Sequence, residues 1–187
     1  MAPERLGGSH RFRVTASLAG RPFEAFLLDV GLRSSLVDEH DTLTTTDLLS
    51  FAEIEPVEVP AVPLERHIAE KLHAHTRRYG DDQPSSRGKD LIDIVLMSEL
   101  ASYEYGRLRD TIVRTFGERE THEPPASLPA PSSDWSQPYR VLAAEVGLDT
   151  DLASGHRAAA AFLDPVLADV PDLDRWDERA MTWRRRR

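Results

Sequence analysis

The sequence predicts an α+β protein, with a short antiparallel sheet first and a small C-terminal helical bundle after it. Three observations carry this. Strict period-two alternation opens the chain, apolar residues spaced i, i+4 prevail from residue 64 onward, and a Pro-rich stretch interrupts the helical part. With 187 residues, 40% of them hydrophobic, the chain is long enough to bury a core.

The elements follow in order. Phe12, Val14, Ala16 and Leu18 alternate with Arg11, Arg13, Thr15 and Ser17 as in a half-buried strand. Ala19-Gly-Arg-Pro22 makes the turn. Phe23 to Val30 returns as a more apolar strand, expected to be the more central one. Along it Phe23, Ala25, Leu27 and Asp29 share a face, so a carboxylate ends an apolar row. Val57-Glu-Val59, between Pro56 and Pro60, is at best an edge strand.

Pro63 suits the first position of a helix carrying Leu64, Ile68 and Leu72. A second helix runs from about Lys89 to Ser102, and a third holds Leu108, Ile112, Val113 and Phe116. The first two of these helices are expected to pack the sheet. Residues 120–133 contain four Pro in fourteen positions and read as an extended surface crossing. Trp135, Tyr139, Leu142 and Val146 suit a fourth helix, and Leu152, His156, Ala159, Leu163 and Val166 a fifth, which Pro165 bends or ends. The expected organisation is an α+β domain over 1–120, the crossing over 121–134, a helical subdomain over 135–170 and a flexible charged tail over 171–187.

Composition excludes several classes. There is no Cys, hence no disulfide framework and no thiolate zinc site. No apolar run approaches the roughly 20 residues of a membrane helix, and Met1-Ala-Pro-Glu-Arg lacks a secretory apolar core. A soluble cytoplasmic chain is expected. The net charge of −9 argues against broad nucleic-acid binding. The stretch from Arg66 to Lys89 is locally basic, which suggests a confined anion site.

Four features could carry chemistry. Asp29 fits either a strand-end cap with Gly31 or a metal-binding or general-base carboxylate at a sheet edge. Lys71 beside the apolar stripe either snorkels to water or grips phosphate from a rigid helix. In Arg87-Gly-Lys-Asp-Leu-Ile-Asp93, capping and dipole effects account for Asp90, whereas Asp93 lies inside the helix between Ile92 and Ile94. Asp90, Asp93 and Met97 form one stripe, so both carboxylates project the same way. Glu70-x-x-His73 has di-iron spacing, but a bundle site needs a second such pair and two more Glu. No P-loop, nucleophile elbow or His-Glu-x-x-His motif is present. The run Arg184 to Arg187 reads as a solvated tail, with a nucleic-acid or partner contact as the alternative.

Five segments in this order resemble one known family: Phe23–Leu32 around Asp29, Pro63–Ala74 around Lys71, Arg87–Asp93, Thr115–His122, and the Pro-rich crossing into Trp135. They look like the AbiEii/AbiGii-type nucleotidyltransferase toxins, including the mycobacterial MenT toxins, over nearly all of residues 11 to 170. The resemblance implies a polymerase-β-like nucleotidyltransferase fold and transfer of a nucleotidyl group from an NTP, with Mg²⁺, to an acceptor such as tRNA. It implies a cognate antitoxin as partner. By the same resemblance Asp29 matches a metal carboxylate, Lys71 the phosphate-binding lysine, and Asp93, in preference to Asp90, the late site acid. Arg87 and Lys89 would add phosphate contacts.

The family's Gly-Ser turn and Asp-x-Asp strand should precede the hairpin, yet after Gly8-Ser9 the next acid is Glu24. An N-terminally shortened version of the fold is therefore expected. It is either a toxin whose catalytic half is incomplete in this chain or a non-catalytic protein that keeps the fold for antitoxin contact. A missing N-terminal segment, or self-association, would then cover the exposed hairpin edge.

Overall fold

The alternating segment near the start does fold as a hairpin. In the computed structural model, which describes residues 4–6, 9–31, 40–77 and 88–186, strands β1 (Glu4–Leu6), β2 (Ser9–Leu18) and β3 (Arg21–Gly31) form an antiparallel sheet in the order β1-β2-β3. Ala19 and Gly20 close the hairpin with φ of 49° and 75°, both positive, as the two-residue turns that match strand twist require. The more apolar strand is not the central one. Among the described residues β3 pairs only with β2, and Phe23 is 72% exposed. An apolar run reports surface that needs cover, whereas hairpin connectivity decides which strand lies in the middle.

A second pair, β4 (Asp41–Thr44) with β5 (Glu58–Ala61), confirms a strand near Val59. Its partner lay hidden in an acidic stretch, where the signal was two β-branched Thr around Leu43. These strands belong to one compact unit, residues 1–61; residues 62–187 form another. The Pro-rich crossing lies within the second unit.

In the second unit, α1 (Leu64–Thr76), α2 (Gly88–Leu100), α3 (Tyr105–Arg119), α4 (Ser136–Glu145) and α5 (Leu152–Leu167) share one core. Pro63 sits just before α1, and its carbonyl accepts from the Arg66 and His67 N–H groups. Ile68 and Leu72 on α1, Leu91 and Ile94 on α2, Leu108 and Phe116 on α3 and Phe162 on α5 are buried together. Asp151 caps α5 by accepting from Ser154 N–H. The helix ends two residues after Pro165, which supplies no N–H.

The crossing is part of this core. Leu128 is buried and its N–H donates to Asp164 Oδ1 at 2.7 Å, which ties the crossing to α5.

The charged tail is not loose either. β6 (Leu173–Asp177) and β7 (Thr182–Arg185) make a hairpin whose Trp176 and Trp183 are buried. Their indole N–H groups donate to the carbonyls of Ser98 (2.8 Å) and Phe162 (2.7 Å). Charge composition describes the outward face of such a hairpin; two indoles decide its inner face. No helix among the described residues is long and apolar enough to cross a membrane.

Candidate active site

Lys71 lies on α1, one turn before His75, and Asp90 and Asp93 lie one turn apart on α2. Packing of α1 on α2 brings the three together. Lys71 Nζ donates to Asp93 Oδ2 at 2.5 Å and to Asp90 Oδ1 at 3.3 Å. The carboxylates differ in setting: the Asp90 side chain is 0% exposed and that of Asp93 38%, with Lys71 between them at 30%. Burial disfavours the Lys71 charge, but the bonds to Asp93 and then Asp90 outweigh it and raise its pKa above the ordinary value. Capping alone therefore does not account for Asp90.

A wall of side chains stands behind this pair. Trp135 packs edge-on to His75, with ring centroids 5.2 Å apart, and lies against Gly88, where an added Cβ would come within 3.3 Å of the indole. His75 is buried; burial lowers its pKa, opposed by the Asp90 charge. Helical periodicity marks these positions singly and does not show that they meet. His75 falls on the Leu64–Ile68–Leu72 stripe, three residues after Leu72 and seven after Ile68, and Trp135 heads the pattern expected for the fourth helix, but neither position names the other as its partner.

Lys89 is exposed, turned about 100° around α2 from Asp90. Arg87 lies outside the described residues. Asp29 belongs to the first unit, where it stands directly opposite Arg11 in the β2–β3 register. Arg11 holds both its oxygens, at 2.6 and 2.7 Å, and this fork lowers its pKa. Asp29 is thus engaged by a cross-strand cation. Glu70 accepts from Arg66 and Arg119, and His73 faces Thr121, so the Glu70-x-x-His73 pair forms no metal site.

The described residues do not fit a magnesium cage. Among them no group of three His, Cys, Asp or Glu could hold a metal ion, and Asp29 would have to leave Arg11 to ligate one.

What the geometry does define is a partly exposed ammonium on a rigid helix, backed by a buried carboxylate and fronted by an accessible one. That arrangement suits a protein that handles anionic substrates. The family model for the nucleotidyl transferase AbiEii toxin of type IV toxin–antitoxin systems matches residues 3–180, and the chain belongs to that family. No curated protein matches the chain.

Proposed function

We propose that this chain acts in nucleotidyl transfer from a nucleoside triphosphate to an RNA acceptor, tRNA being the acceptor we favour, within a polymerase-β-like arrangement and under control of a cognate antitoxin in the cytoplasm. The observation that supports it is the Lys71–Asp93 pair, accessible at the surface and pinned from below by Asp90.

In this reading the triphosphate displaces Asp93 from Lys71. Asp90 remains, so the ammonium stays charged and in place while negative charge builds on the leaving pyrophosphate. Asp93, once released, is a free carboxylate within reach of the reacting groups. Lys89, exposed beside Asp90 at the start of α2, supplies a further phosphate contact, and the family resemblance gives Arg87 the same role. Magnesium is the expected ion of such chemistry, but the donor set described above does not form its site, and no step here passes through it.

The test is incorporation of each labelled NTP into total tRNA, with toxicity scored in parallel. Lys71→Ala and Asp93→Asn should abolish both while the protein stays folded by circular dichroism. If both variants remain toxic, the chain is better read as a non-catalytic binding protein that keeps the fold for antitoxin contact.

A further inference from the structure

The segment Thr115–His122 carries a hydrogen-bond chain whose direction can be deduced. Thr76 Oγ1 lies 2.9 Å from the Leu72 carbonyl, which only accepts, so Thr76 donates its one hydrogen there. Thr76 Oγ1 also lies 2.8 Å from His122 Nε2 and must accept from it, so the His122 ring is protonated at Nε2. In a neutral ring Nδ1 then accepts, and Thr121 Oγ1, at 3.0 Å, donates to it. The Thr121 hydrogen is then in use, so His73 Nε2, at 2.7 Å, donates to Thr121. Every hydrogen points one way, from His73 through Thr121, His122 and Thr76 to the Leu72 carbonyl. Neutral rings are consistent with their setting. Burial holds the His73 pKa at about 4, and burial, aided by Arg77 and opposed by Glu123, lowers that of His122.

This chain fastens the start of the crossing to the last turn of α1. The end of the crossing is fastened too. Trp135 packs on His75, one turn after Lys71, and on Gly88, two residues before Asp90. Residues 121–135 therefore strap together the two helix ends that carry the Lys71–Asp90–Asp93 group.

We propose that Thr121 and His122 are positioning residues: with His73 they lock this strap onto α1 and so set where the Lys71 ammonium meets its two carboxylates. The functional meaning rests on the proposed role of Lys71; the chain and the strap do not.

The test uses the full chain. Histidine ¹⁵N spectra at neutral pH should show His73 and His122 both neutral and both protonated at Nε2. The chain has only two lysines, Lys71 and Lys89, so the Lys71 ammonium signal is readily assigned in lysine-labelled protein. Thr121→Val should release His122 from its single tautomer, raise amide exchange across 121–135 by about fivefold or more, and shift the Lys71 signal toward that of Lys89. The KM for the triphosphate should rise more than kcat falls. Thr121→Ser should restore the wild-type values. A wild-type ring that is charged or protonated at Nδ1 overturns the chain, even if Thr121→Val does not fold. Faster exchange with an unmoved Lys71 signal overturns the positioning role. Absence of NTP turnover in the wild type counts against the proposed function alone, because the tautomer, exchange and ammonium readouts stand without it.

Discussion

Lys71 and Asp90 form the fixed half of the candidate site: a carboxylate with no exposed surface holds, at 3.3 Å, an ammonium that still reaches solvent. Their pairing separates anchoring from reactivity, since the shorter bond, to Asp93, is the one that solvent and substrate can reach.

The two aspartates should therefore differ in stability. Asp90→Ala removes a buried partner and should destabilise the protein by about 2–3 kcal/mol. Asp93→Ala, at an accessible pair, should shift stability by less than about 1 kcal/mol. Urea denaturation of both variants checks this, and equal losses would contradict the division of roles.

The C-terminal hairpin should be structural. Trp176 is fully buried, donates to Ser98 and packs on Phe162 at 4.8 Å, so Trp176→Ala should cost about 3–5 kcal/mol. Deleting residues 171–187 should prevent stable folding of the helical unit. A truncated protein with an unchanged thermal midpoint would restore the loose tail that charge composition suggested.

Gly155 should resist substitution for a packing reason. A methyl group there would collide with the Tyr139 hydroxyl, which is buried against α5 and has no hydrogen-bond partner among the described residues. Gly155→Ala should destabilise by about 1–3 kcal/mol, and Tyr139→Phe in the same chain should recover part of that loss. Thermal melts of the single and double variants measure the coupling.

Acid should weaken the second unit before most carboxylates titrate. Burial first, and neighbouring charges after it, lower His73 to about 4, and His75 and His122 also lie below the ordinary 6.5. The unfolded chain takes up these protons first. Their contribution is thus complete above about pH 6.5 and is lost as pH falls toward about 4. Denaturant midpoints measured across that window should decline, and a flat profile would show that the three rings are protonated in the fold.

In the first unit, the Asp29 carboxyl should titrate below its ordinary range in the wild type and return toward it in Arg11→Leu, because the Arg11 fork is the main cause of the shift. Carboxyl chemical shifts followed with pH distinguish the two.

Much of this was legible in residue order. Alternation located β2 and β3, i, i+4 spacing located α1 and α3, and the helical stripe placed Asp90 and Asp93 on one side of α2, the side on which the structure puts Lys71. Local patterning is enough for such features because each depends on the geometry of a single element. Strand order, the buried side of the tail hairpin and the partner of Asp29 were not legible, since each is settled by contacts between segments distant in sequence.

By itself, then, the order of residues determined the α+β class, the helices, the family and the set of charged groups from which a site could be made. Only the tertiary structure decided which of those groups meet: Asp90 sealed beneath Lys71, Asp93 left at the surface, Asp29 taken by Arg11, and the crossing drawn across α1 and α2 by His75, Thr121 and Trp135. The physical reason is that a charge acquires its role from burial and from the partner within about 4 Å, and neither is a property of one segment alone.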